Sequence, residues 1–329
     1  MLFYLAHGCP NCGGIISDER LAQGLPCESC LNDVTTLKEK VNLESIGKKL
    51  QQKRNLRDLK PYLVVEKKLK TFKEIFQELF GSLPSSLQLS WAKRFFLGES
   101  FAIVAPTGTG KTTFGLLACL FEPEKSLILV PTKILVKHLY ERIAEIQAKT
   151  TNKSIKNKTL LYYTGSPKEK KLLEKGSFDI FICTQAFFHK NYALLKNPNF
   201  SLIFVDDVDS FLKSGKNVEH LFYLLGFTEK EIALALKRDK NEDEFIELSK
   251  IKENHRDKFK KLIVSSATLK PKTSRAILFQ NLLGFEVTRF VSTLRKVEDL
   301  YYEVASTDFE NLLESAYELI RILGKGGLL

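Results

Sequence analysis

The sequence predicts an α/β protein in which a buried parallel sheet follows a small amino-terminal module held by four cysteines. Two observations carry this reading. FAIVAP, SLILVP, TLLYYTG, FDIFICT, LIFVDD and LIVSSAT are short apolar, β-rich runs that end in small or polar residues, and the stretches between them are helical in pattern. Unbroken apolar runs of this length suit strands covered on both faces, with functional loops at their carboxyl ends. At the amino terminus, Cys9-Pro-Asn-Cys12 and Cys27-Glu-Ser-Cys30 sit in a segment too short to fold on an apolar core alone.

In chain order, residues 1–35 form the expected zinc-ribbon-like module. Two CxxC pairs at this separation can place four thiolates around one tetrahedral Zn²⁺. Disulfides are the alternative, disfavoured in a reducing compartment. His7 lies close by, but four cysteines already complete the shell. A folded finger is also expected to present Arg20 to phosphates. Residues 36–70 are strongly charged and read as a linker or helix. Residues 71–298 are the main α/β domain, opening on Phe72, Ile75, Phe76, Leu79 and Phe80 at helical spacing. Within it, about 211–260 is charged and reads as inserted helices. Residues 299–329, from LYYEVAS through FENLLESAYELIRIL to GKGGLL, read as the start of a truncated second domain.

The chain has 329 residues, a net charge of +11 and a pI near 9.2, which favours an anionic polymer as partner. Its apolar runs are too short to cross a bilayer, and no basic region precedes the short apolar stretch at the amino terminus. A membrane span and a secretory signal are therefore not expected, and the cytoplasm is the expected compartment. Cys119 and Cys183 fall inside apolar elements and read as core.

The chemistry is concentrated where the apolar runs end. Ala105-Pro106-Thr107-Gly108-Thr109-Gly110-Lys111-Thr112 follows FAIV and opens the helical stretch TTFGLLACLF, which begins with Thr112 and Thr113. Glycines let backbone N–H groups close around phosphate oxygens, and the helix adds its amino terminus to the same charge. This is the pattern of a phosphate-binding P-loop. Lys111 is expected on the β and γ phosphates of ATP and the Thr112 hydroxyl on Mg²⁺. Asp206-Asp207-Val208-Asp209 ends LIFV, so Asp206 is placed to hold Mg²⁺ and Asp207 to orient or deprotonate the attacking water. Ser266 and Thr268, at the end of LIVS, are expected to couple the acidic motif, Asp209 included, to domain position.

In order and spacing these motifs resemble the first RecA-like domain of a superfamily-two helicase related to the DEAD-box proteins. The resemblance makes Gln88, in GSLPSSLQLSWAKRFF, the adenine-reading glutamine, with Phe80 stacking on the ring and Phe72 or Phe76 as alternatives. It also makes Pro131, Thr132 and Lys133, then Thr164 and Gly165, then Thr184 and Gln185, the loops that grip a nucleic-acid strand through its phosphates.

The finger with CxxCGG, the acidic motif spelled DDVD and the run WAKRFFLGESFAIVAPTGTGKTT together resemble the reverse gyrase family. That resemblance implies two RecA-like domains fused to a type IA topoisomerase, in an enzyme of hyperthermophiles that adds positive supercoils to DNA using ATP. It implies that this chain binds ATP, Mg²⁺, Zn²⁺ and DNA, and works with a second RecA-like domain and a topoisomerase domain that it does not contain. An RNA helicase of DEAD-box type, or a non-hydrolysing nucleotide-sensing DNA-binding module, are the alternatives. Against the first stand Asp207 in place of the usual Glu and the finger itself.

Overall fold

In the computed structural model, which describes residues 3–32, 43–163, 166–256, 260–266 and 274–285, the main domain is a parallel sheet between two helical layers. Each apolar run named above contains one strand: β3 (Phe101–Val104), β4 (Ser126–Val130), β5 (Leu160–Tyr162), β6 (Ile180–Thr184), β7 (Leu202–Val205) and β8 (Lys261–Ser266). β1 (Tyr4–Leu5) and β2 (Ile16–Ser17) pair antiparallel in the finger. The order across the large sheet is β3-β8-β7-β4-β6-β5, and all pairings are parallel. The loops after β3, β4, β6 and β7 therefore emerge along one edge, which is what brings distant motifs together.

Successive residues of each strand point to opposite faces. Leu127, Phe181, Ile203 and Leu262 enter one apolar cluster, whereas Ile128, Ile182, Phe204 and Ile263 enter the other. The second face is covered by the helices Lys60–Phe80, Ser86–Phe96, Lys111–Phe121 and Lys133–Lys149. Gly115 lets the helix Lys111–Phe121 lie directly on the sheet, since a Cβ there would come within 2.2 Å of the Phe204 ring. The first face is covered by Gln185–Lys190, Gly215–Leu225, Glu229–Leu236 and Ile277–Leu283. The segment read from sequence as inserted is helical and also covers the sheet, burying Leu221, Phe222, Leu225 and Ile232, with Leu248 and Ile251 from the helix Glu242–Arg256. Cys119 and Cys183 are fully buried in the two clusters.

The finger has its own small core. Cys9, Ile16, Leu25, Cys27, Cys30 and Leu31 pack with Ile46, Leu50 and Leu59, so the apolar cluster runs past residue 35 into the segment read as a linker. The helix Leu43–Gln52 supplies Ile46 and Leu50, four residues apart and so on one face. The expected second domain, 299–329, lies outside the described residues. Among the described residues no helix is long and apolar enough to cross a membrane.

Candidate nucleotide site and metal centre

The glycine-rich loop joins β3 to the helix Lys111–Phe121, and Gly108 and Gly110 take left-handed backbone at φ 80° and 83°. Only glycine adopts this freely. At Gly110 a Cβ would also meet Gln88 Nε2 at 2.5 Å, so a side chain there would displace the Gln88 amide. Thr109 Oγ1 donates to the Pro106 carbonyl at 2.9 Å and tightens the turn. Lys111 Nζ folds onto the same loop, donating to the carbonyls of Ala105 at 2.6 Å and Pro106 at 2.8 Å. Burial holds its ammonium below the ordinary lysine range, and the nearby Asp206 carboxylate opposes that shift. Thr112 Oγ1 donates to Asp206 Oδ2 at 3.0 Å, so residues 94 positions apart in the chain meet at the ends of β3 and β7.

The acidic turn is held from β8. Ser265 Oγ donates to Asp206 Oδ1, and Ser266 Oγ donates to Asp209 Oδ2. Ser265 was not among the residues expected from sequence. Its signal was the doubled serine of LIVSSAT at the end of a strand that proves to neighbour β7. Thr268 lies outside the described residues. Asp207 is in left-handed backbone at φ 57°, unusual for a residue with a side chain. Burial, then Asp209 and Asp206, push its carboxyl above the ordinary value, with Lys213 opposing. An acid raised in the folded state opposes folding above its folded pKa and not below the unfolded value of 3.8. Asp207→Asn is therefore expected to raise the unfolding temperature at neutral pH by a few degrees, an advantage that disappears below about pH 4. Parallel melting curves at the two pH values check it, and an equal gain at both would contradict the electrostatic cause.

Gln88 is buried and closes a capping box, its Oε1 accepting from Ser85 N at 2.9 Å while Ser85 Oγ accepts from Gln88 N at 3.2 Å. Its amide nitrogen is left against the loop at Gly110. Phe72 and Phe76 are buried in the core, whereas Phe80 is 37% exposed with its ring 4.6 Å from that of Phe76. Thr132 caps the helix Lys133–Lys149 by accepting from Leu135 N, and Thr132 and Lys133 are exposed beside a half-buried Pro131. Thr184 and Gln185 are both buried. The Thr184 hydroxyl accepts from Phe187 N and caps the helix Gln185–Lys190, and the Gln185 amide donates to the Asp207 carbonyl at 3.4 Å, bracing the acidic turn. Thr164 and Gly165 lie outside the described residues.

At the other end of the chain, the Sγ atoms of Cys9, Cys12, Cys27 and Cys30 all lie within 4.8 Å of one another. Cys12 and Cys27 are 3.6 Å apart, close to the edge of about 3.8 Å that a tetrahedron with Zn–S bonds of about 2.3 Å requires. None of the six cysteines is in a disulfide. The sulfurs receive donors, from Cys27 N to Cys9 at 3.2 Å and from Asn11 Nδ2 to Cys30 at 3.3 Å. Burial raises the Cys9 thiol, but the backbone donors of Cys27, Asn11 and Cys12 outweigh it and bring the pKa down to about 7. Burial drives Cys30 up to about 12. These donors fit thiolate ligands to one ion.

Arg20 does not point outward as expected from sequence. Its Nε donates to the Pro26 carbonyl at 2.8 Å and its Nη2 to the Leu31 carbonyl at 2.6 Å, so the guanidinium ties the second cysteine loop to the finger helix. Asn11 ties the first loop to the rest of the chain. It is fully buried, its Nδ2 also donates to the Asn55 carbonyl at 2.8 Å, its Oδ1 accepts from Arg57 N at 3.0 Å and its carbonyl accepts from Asp58 N at 3.1 Å. Asn11→Ala leaves buried donors and acceptors unsatisfied and should destabilise the finger by about 2–4 kcal/mol. Faster amide exchange at residues 9–31 than in the parent would register this, and unchanged exchange would refute it.

A parallel sheet carrying a glycine-rich loop after one strand and an acidic turn after the next strand but one, behind a four-cysteine module, defines a RecA-like P-loop domain with a zinc-ribbon-like appendage. The chain belongs to the DEAD/DEAH box helicase family, whose profile matches residues 85–277. Residues 2–48 match the reverse gyrase zinc finger. Reverse gyrase 2 of Aquifex aeolicus is 45% identical over 98% of this chain and 27% of its own length, and reverse gyrase of Pyrococcus horikoshii is 37% identical over 98% and 21%. The chain thus spans about a quarter of the length of these curated relatives. A crystal structure of a DEAD box protein from Methanococcus jannaschii shares the fold, with a TM-score of 0.50, 18% identity, and coverage of 76% of this chain and 60% of that one.

Proposed function

We propose that this chain is the ATP-binding motor part of a reverse gyrase, which binds ATP with Mg²⁺ at the glycine-rich loop and DNA along the same sheet edge. The observation that carries the reading is the hydrogen bond from Thr112 to Asp206, beside Lys111. It gathers a phosphate-seeking cation, a metal-binding hydroxyl and a carboxylate at one point. With ATP bound, Lys111 would exchange loop carbonyls for phosphate oxygens. Mg²⁺ would supply charge neutralisation between Thr112 and Asp206, and Asp207 would act on water. The four cysteines would hold a structural Zn²⁺, because a closed four-thiolate shell leaves no position for an activated water. Joined to a second RecA-like domain and a type IA topoisomerase, the motor would introduce positive supercoils into DNA. Pro131, Thr132 and Lys133 are the exposed candidates for the strand grip.

Base selection gives the direct test. Gln88, wedged against Gly110, is assigned the adenine edge, so Gln88→Ala should narrow the preference for ATP over GTP by about tenfold. Titrations of this chain with both nucleotides in Mg²⁺ measure that ratio. A wild-type chain that binds neither would remove the reading, and equal weakening of both in the variant would leave Gln88 a structural cap only.

A further inference from the structure

Between the carboxyl end of the helix Lys60–Phe80 and the helix Lys133–Lys149 lies a cavity of about 320 Å³, walled by Leu79 and Phe80 on one side and by Glu141, Arg142, Glu145 and Lys149 on the other. Its volume is at the lower end of the ~300–1,000 Å³ range of small-molecule sites, room for a nucleobase and little more. The cavity adjoins the phosphate loop through one bond, because Arg142 Nη2 donates to Thr113 Oγ1 at 2.8 Å, two residues beyond Lys111. That bond fixes one edge of a half-buried guanidinium that also lines the cavity. Opposite it, Phe80 keeps more than a third of its surface open while Phe76 and Phe72 are sealed into the core. An exposed ring and a tethered guanidinium thus line one base-sized space beside the residues assigned to the triphosphate.

We propose that Arg142 is a base-clamping residue, its guanidinium stacking on the face of the nucleobase that Phe80 does not cover. The inference rests on the nucleotide reading of the loop and adds a residue to it. A guanidinium is planar, delocalised and weakly hydrated, and it stacks on π faces where an ammonium does not. Stacking is indifferent to the edge of the base. Arg142 therefore strengthens every nucleotide alike, and discrimination between bases is left to Gln88. The tether to Thr113 links the clamp to the first turn of the helix that follows the loop.

The signature is a contrast between ligands with and without a base. In competition titrations on the 329-residue chain with Mg²⁺, Arg142→Ala should weaken ATP and GTP equally, by about five- to twentyfold, while tripolyphosphate changes by less than about twofold. Arg142→Lys keeps the charge and loses the plane, so it should show most of the same loss. The affinity ratio of ATP to tripolyphosphate does not depend on the fraction of folded protein, so a partly misfolded variant still gives an answer. A ratio unchanged in Arg142→Ala, or ATP loss restored in full by Arg142→Lys, overturns the clamp. The nucleotide reading fails separately, if the wild-type chain binds neither ligand or if Lys111→Ala leaves both affinities intact.

Discussion

Replacing Lys111 by Ala is expected to weaken ATP binding by at least about a hundredfold and to abolish turnover in any longer protein that contains this domain. The ammonium lies on two loop carbonyls at 2.6 and 2.8 Å, partly buried, with the Asp206 carboxylate in its field. Both carbonyl bonds must be given up when phosphate oxygens take their place. Charge-assisted hydrogen bonds to phosphate contribute roughly 1.5–3 kcal/mol each, and Lys111 can make two or more of them. Losing them also leaves the phosphate charge facing backbone N–H groups alone. Isothermal titration of ATP into wild type and variant measures the change, and affinities within about threefold of each other would remove Lys111 from the phosphate site. Asp207→Asn makes the informative partner, since that carboxyl is assigned to water and its loss should lower turnover while leaving ATP affinity nearly unchanged.

Stripping the metal from the four cysteines is expected to unfold the whole finger while the parallel sheet stays folded. The apolar cluster there is small, and structural zinc in comparable modules contributes roughly 10–16 kcal/mol, more than such a cluster can replace. The loss should not stop at the second cysteine pair. Ile46, Leu50 and Leu59 pack on the finger, and Asn11 binds the turn at 55–58, so the helix Leu43–Gln52 should lose amide protection together with residues 9–31. Metal analysis should find one zinc per chain before chelation, and hydrogen exchange should then open 9–31 and 43–52 while β4 and β7 stay protected. Protein that is prepared under reducing conditions without zinc and still protects the finger would contradict the assignment. Cys27→Ser should reproduce the chelated state without a chelator.

The strands were legible because a buried parallel strand writes its whole length in apolar residues. Each of the six runs in the main domain carries one strand, and the glycine-rich and acidic motifs were readable as the ends of two of them. What the sequence did not disclose were contacts made by side chains with several possible partners. Arg20 reads as a phosphate contact in any basic protein, and only the fold of the finger shows its Nε and Nη2 donating to the carbonyls of Pro26 and Leu31. Asn11, inside a CxxC loop, gave no sign that it would meet residues 55–58, because its partners are mostly backbone groups, which have no sequence signature. Thr184 and Gln185 resemble strand-gripping residues; both are buried, Thr184 capping its own helix and Gln185 bonded to the Asp207 carbonyl. Ser265 was hidden by its neighbour, since which of two adjacent serines faces Asp206 depends on strand register. The segment read as a charged linker or helix gave no sign of its packing on the finger, because the buried face of the helix Leu43–Gln52 is only Ile46, Gly47 and Leu50.

The order β3-β8-β7-β4-β6-β5 has a consequence for how the polypeptide is made. β3, which carries the glycine-rich loop, stands at the end of the sheet and pairs with β8, with Phe101 opposite Ile263 and Val104 opposite Ser266. During synthesis, β3 is complete some 160 residues before its neighbour exists. The central strands β4, β6 and β7 can assemble first, but the loop strand has no hydrogen-bonded place until β8 has left the ribosome and slipped between it and β7. Joining segments so far apart in the chain is slow. The strand that carries the glycine-rich loop is therefore the last to find its place in the sheet, and the proposed nucleotide site is not complete until nearly the whole domain has been translated.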